Sequence, residues 1–222
     1  MDEISPNNSS KVEKKQTWLL AGIAAMLFVP LFVKGGLGWF DFWWWMASNA
    51  VLLLAVIASI DPRWRAAVAS DLRERLWYKL VVGLISAAIL YGVFFIGNLL
   101  STRLFDFASG DIDAVYAFKD GVSPIKCALL IGLLIGPAEE LFWRAFLQHR
   151  LQDHYGRWCG MIIATVIYAS VHIGSGNPML VAAAAICGAY WSLLYTRYKS
   201  PLLNVVSHVV WDLAVFLWIP FN

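Results

Sequence analysis

Residues 124–151 read PIKCALLIGLLIGPAEELFWRAFLQHRL, a run long and apolar enough to cross a bilayer, with Glu139, Glu140 and Arg144 in its second half. A charged side chain at the centre of a membrane helix costs at least ~2.5–3.5 kcal/mol, so such a cluster persists where it faces other helices or an internal cavity. The stretch therefore predicts a membrane helix packed inside a bundle of other membrane helices.

The surrounding sequence agrees. Of 222 residues, 60% are hydrophobic and 14% charged, with a mean hydropathy of +0.65. A soluble domain carries about 25% charged residues, so the shortage decides the class. Apolar runs of about 20 residues mark membrane spans. Here they predict 18–33, 39–60, 80–100, 124–151, 158–173, 178–196 and 201–219. The expected fold is an all-α, polytopic transmembrane helical bundle of about seven spans. The expected organisation is a flexible cytoplasmic N-terminus (1–17), N-terminal transmembrane helices (18–100), an external loop (101–123) and a catalytic transmembrane core (124–222). Lysines precede the first apolar run, but no small-x-small cleavage site follows it, so it reads as a span rather than a signal peptide.

Charge sets the expected orientation. Lys11, Lys14, Lys15, Arg63, Arg65, Arg73, Arg75, Lys79, Arg150, Arg157, Arg197 and Lys199 fall on the N-terminal side; Lys34, Arg103, Lys119 and Lys126 fall on the other. The positive-inside rule then predicts a cytoplasmic N-terminus, an external C-terminus and a multi-pass protein of the cell (inner) membrane. The 12 tryptophans suit such a protein, and Trp39, Trp43, Trp44 and Trp45 crowd one helix start as interfacial residues do. A net charge of +2, with no basic binding face, argues against nucleic acid as a partner. Cys127, Cys159 and Cys187 lack CxxC spacing and read as small buried residues rather than metal ligands or a disulfide framework.

The costly residues converge on three spans: Glu139, Glu140 and Arg144 in the fourth, His172 in the fifth, His208 and Asp212 in the seventh. At 1.5 Å per residue, Glu139, His172 and His208 lie roughly 16, 22 and 14 Å from the N-terminal face, measured from Arg150, Arg157 and Lys199. All three depths fall within the middle of a core ~30 Å thick, which predicts one shared polar site. Glu140 and Arg144 are i,i+4 and can pair, whereas Glu139 projects about 100° away with no partner on its own helix. His208 and Asp212 are likewise i,i+4. Gly132 and Gly136 form a small-xxx-small pair that admits a close neighbour, and Pro137 is placed to kink the helix and free backbone carbonyls.

Glu139-Glu140-Leu141-Phe142-Trp143-Arg144, then Tyr168 four positions before His172, then His208-Val209-Val210-Trp211-Asp212 resemble, in order, the three motifs of the CAAX protease and bacteriocin-processing (CPBP, abortive-infection) family. Tyr168 stands where Phe is more usual, and Asp212 where the CAAX endopeptidases tend to have Asn. The resemblance covers 124 to the end and implies an intramembrane endopeptidase without a cofactor, acting on a membrane-anchored protein substrate. It implies Glu139 as general base on water, His172 as a second holder of that water, His208 and Asp212 as oxyanion stabilisers, and Glu140 with Arg144 as support. A carboxylate held out of water is a stronger base than one in solution, which suits that role. The phrase Glu-Glu-Leu-Phe-Trp-Arg-Ala-Phe-Leu also resembles the bacterial subgroup paired with C-terminal sorting signals. Those substrates end in a short motif, one transmembrane helix and a basic tail.

The residues leave other readings open. Two histidines and a carboxylate suit zinc, although His-Glu-x-x-His is absent. A transporter or a non-catalytic immunity protein is compatible with a buried polar site, although the internal repeats usual in transporters are missing. Gly174-Ser175-Gly176 echoes a serine-nucleophile turn only loosely.

Overall fold

Helix starts are written into the sequence as a capping side chain followed by proline. Asp61-Pro62, Asn177-Pro178 and Ser200-Pro201 each open a helix. Their side chains accept from the backbone N–H of Trp64, Leu180 and Leu203 at 3.0, 2.8 and 3.3 Å. A side-chain oxygen satisfies an orphan N–H, and proline at the first helical position loses nothing because its missing N–H would have been unpaired.

The computed structural model describes residues 6–221. Among these, nine helices account for almost all the regular structure: α1 Pro6–Lys34, α2 Phe42–Ile60, α3 Pro62–Asp71, α4 Leu76–Leu104, α5 Ala108–Tyr116, α6 Pro124–Tyr155, α7 Arg157–Ser175, α8 Pro178–Tyr198 and α9 Pro201–Trp218. A two-residue hairpin, β1 Gly36–Leu37 and β2 Phe40–Asp41, joins α1 to α2. Six helices are long and apolar enough to cross a membrane, and the segment Ala108–Lys119 with α6, bent 91° from it, makes up to seven when the pair is counted as one span. The bundle is thus all-α and polytopic, as expected.

The differences lie between the spans. The segment 1–17, expected to be flexible, is helical from Pro6, and residues 1–5 lie outside the described residues. The expected external loop 101–123 is the end of α4 followed by α5 and a single tight turn, Ala117–Lys119. The second span starts at Phe42 rather than Trp39, because glycines 35, 36 and 38, all at positive φ, turn the chain through the hairpin.

The helices pack by stripes. On α4, Gly83, Ser86, Ala87 and Leu90 are buried while Val81, Leu84, Ile85 and Ile89 are exposed. That i, i+3, i+4, i+7 pattern is one helix face turned to protein and the rest to lipid. The buried face meets α9, where a Cβ on Gly83 would stand 2.8 Å from Val206. The α9 face carries Asn204, Ser207, His208, Trp211 and Asp212, all buried. Gly136 of α6 also lies against α9, a Cβ there falling 2.7 Å from Val209. Small residues thus set the approach of both helices that flank the polar stripe.

On the N-terminal face, Arg150 donates to Asp61 at 2.5 Å, and Asp71 accepts from Ser200 Oγ at 3.1 Å and Leu202 N at 2.8 Å. Burial pushes the Asp61 carboxyl up, but the Trp64 N–H and the Arg150 guanidinium outweigh it and hold the group below the usual carboxylate range. The tightest backbone approach is at the α6–α7 turn, where a Cβ on Gly160 would stand 2.4 Å from Gln152 N and 2.5 Å from its Cα. Backbone cannot yield as a side chain can, so Gly160→Ala is expected to cost about 1–3 kcal/mol. A melting curve in detergent checks this, and an unchanged midpoint would contradict the packing.

Candidate active site

Pro137 decides the local geometry of α6. Proline lacks an N–H, and its ring clashes with the carbonyl four residues back, so a regular helix cannot pass through it unstrained. Here the helix widens into π-helical turns at Ile131–Ile135 and again at Trp143–Gln148, leaving α-helix at Gly136–Phe142. Such widened turns re-aim side chains and recur at functional sites. The adjacent glutamates lie between the two.

Glu140 is fully buried and saturated with partners. Its Oε1 lies 2.7 Å from His208 Nδ1 and 3.2 Å from Arg144 Nη1; its Oε2 accepts from Asn204 Nδ2 at 3.0 Å. The Arg144 contact is one of charge rather than an aligned hydrogen bond, since none of its guanidinium nitrogens has a hydrogen-bond partner among the described residues. Its cation lies instead 4.5 Å from the ring centre of Tyr168 and 5.5 Å from that of Trp191. Aromatic faces take a guanidinium well because its charge is spread and weakly hydrated.

Glu139 is placed differently. It lines a cavity of about 400 Å³ together with Tyr168, His172, His208 and Asp212, which neither Glu140 nor Arg144 reaches. Among the described residues its one side-chain hydrogen bond comes from the Tyr168 hydroxyl to Oε2, at 3.3 Å. His172 Nδ1 is 2.9 Å from the Tyr168 carbonyl. A carbonyl only accepts, so that nitrogen donates, and the other nitrogen of the neutral ring is left as an acceptor. Phe32 packs against the same ring at 4.3 Å between centroids.

His208 sits between two carboxylates, with Nε2 3.3 Å from Asp212 Oδ2 opposite the Glu140 contact. Trp191 stacks on its ring at 3.8 Å and 17°. The structure therefore brings Glu139, His172, His208 and Asp212 to one cavity and puts Glu140 and Arg144 behind it.

Three participants were not singled out from sequence. Asn204 stands four residues before His208 on the same stripe, a spacing that could have revealed it. In the sequence Tyr168 is marked only as a motif aromatic, yet its hydroxyl donates to Glu139, its carbonyl orients His172 and its ring faces Arg144. Trp191 offers no signal beyond an aromatic in an apolar helix. Among the described residues, no group of three or more His, Cys, Asp or Glu side chains is arranged to hold a metal ion.

Comparison with curated proteins and with solved structures gave no match. Among protein families, the model described as type II CAAX prenyl endopeptidase Rce1-like matches residues 121–214. That stretch, which holds every residue of the polar cluster, is similar to the Rce1-like, CPBP-type family of CAAX-type intramembrane proteases.

Proposed function

We propose that this protease is of the glutamic type, with Glu139 activating the water that attacks the scissile carbonyl. The observation that carries this reading is the unequal placement of the two adjacent glutamates. Glu140 is held by His208, Asn204 and Arg144 away from the cavity, while Glu139 faces the cavity with a hydrogen bond from the Tyr168 phenol. A general base needs a free lone pair within reach of its water.

In this mechanism Glu139 takes a proton from the water and later gives it to the departing amide nitrogen. The acceptor nitrogen of His172 takes a hydrogen bond from the same water and orients it. The oxyanion that forms is met by His208 Nε2–H, and Asp212, 3.3 Å from that nitrogen, holds the ring in place for it. Preorganised donors in a water-poor site are worth a few kcal/mol each at that step. Glu140 and Arg144 hold His208 in register. The substrate is a membrane-anchored protein cut beside a C-terminal transmembrane or sorting segment, which suits the mostly apolar walls of the cavity.

Cleavage of a single-span substrate by the purified protein tests the proposal. Activity should persist after dialysis against a chelator, because the residues named do the chemistry unaided. Loss of activity on chelation, with recovery on adding Zn²⁺, would replace Glu139 with a metal as the source of the nucleophile.

A further inference from the structure

We infer that the reaction cavity belongs to the external side of the membrane, so that this protease cuts polypeptide segments that have already been exported. The inference rests on the peptidase reading of the cavity and adds where its substrate comes from.

The first observation is which part of each helix lines the cavity. Phe32 is near the end of α1, Met46 in the first turns of α2, Ser101 at the end of α4, His172 near the end of α7, Met179 at the start of α8, and Val215 near the end of α9. Alternating spans put all these positions on the face of the hairpin and α5, opposite the N-terminal face. Among its lining residues, Val93 of α4, Phe105 just after α4 and Ile186 of α8 are 43%, 50% and 45% exposed.

The second observation is that the other half of the bundle is closed by hydrogen bonds. Gln148 Nε2, fully buried, donates to Ser192 O at 2.8 Å and Thr196 Oγ1 at 2.9 Å, and Gln152 Nε2 reaches the same hydroxyl at 2.7 Å. Nearer the centre, Ser86 Oγ and Ser207 Oγ are 3.0 Å apart, and Trp191 Nε1 donates to Ser207 at 3.2 Å. Tyr190 ties α8 to α4 by donating to the Ser86 carbonyl at 2.9 Å. A chain entering from that face would have to break this layer.

The third observation is charge. The closed half ends in twelve Lys and Arg residues, whereas the open half ends in four and carries Asp106, Asp111, Asp113 and Asp120. Basic loops stay in the cytoplasm, which puts the closed half inside and the mouth outside. The substrate class this admits is a membrane protein whose cleaved segment lies beyond the bilayer centre on the outer side. A protein lipidated at its C-terminus and held on the cytoplasmic surface is excluded.

Accessibility to a thiol reagent tests it. In full-length protein with Cys127, Cys159 and Cys187 changed to Ala, Asn98→Cys or Ser101→Cys places one thiol in the cavity and Arg73→Cys places one on the closed side. A membrane-impermeant maleimide should label the cavity thiols in right-side-out vesicles and not in inside-out ones, with Arg73→Cys showing the reverse. Cavity thiols labelled in inside-out vesicles, or in neither, would overturn the inference. Labelling needs no turnover, so an outward cavity in a protein that never cleaves counts against the peptidase reading alone. An inward cavity in an active protein counts against the sidedness alone.

Discussion

Glu139→Gln is expected to leave a folded, membrane-inserted protein that does not cleave. Glutamine keeps the shape of the side chain and its acceptor oxygen, so the hydrogen bond from Tyr168 survives and the packing of α6 against α7 is unchanged. What is lost is basicity. A positioned general base contributes typically ~10²–10⁴-fold, and here the same group also returns the proton to the leaving nitrogen, so the loss should sit at or above the top of that range. Single-turnover cleavage in detergent or proteoliposomes measures it, beside a melting curve that should match wild type to within a degree or so. Robust cleavage by Glu139→Gln would remove this carboxylate from the chemistry. A large drop in melting temperature would make it a structural group.

The class of this fold was legible because membranes tolerate so few compositions. Seven apolar runs separated by basic or acidic residues leave little choice beyond a helical bundle. What escaped was everything short and mixed: α3, α5 and the hairpin carry enough polar residues to read as loops, and they become regular only because neighbouring spans give them surfaces. Asp61 illustrates this, capping α3 while holding Arg150 of a distant helix.

The polar cluster was legible for a related reason. Glu139, Glu140, Arg144, His172, His208 and Asp212 stand out because each is expensive where it sits. Tyr168 and Trp191 did not, since an aromatic costs nothing in an apolar helix and its hydrogen bonds appear only once the helices are docked. Ideal helical spacing correctly set Glu139 and Glu140 on different faces. It also set Arg144 within reach of Glu140, and the two charges meet at 3.2 Å while the guanidinium faces Tyr168 and Trp191. The closest partner of Glu140 is His208 on α9, a long-range contact that no single-helix argument could supply.

That contact sharpens what Glu140→Gln should do. Removing the carboxylate charge leaves Arg144 buried without a compensating anion, and breaking a buried pair from one side typically costs ~3–5 kcal/mol. Glu140→Gln should therefore melt well below wild type and give less protein, in contrast to Glu139→Gln. Adding Arg144→Met removes the stranded charge while keeping a long flexible side chain against Tyr168 and Trp191, so the double variant should regain a substantial part of the lost stability. Activity should not return with it. Glutamine at 140 is a weaker acceptor for His208 Nδ1, and the imidazole then loses the charged contact that sets its orientation toward Asp212. Melting temperature and single-turnover rate thus separate in the double variant, which a purely structural role for Glu140 does not allow. If stability and cleavage recover together, Glu140 acts only through Arg144 and the His208 contact is incidental. If Glu140→Gln is stable but inactive while Glu139→Gln is unstable, the roles of the two glutamates are exchanged.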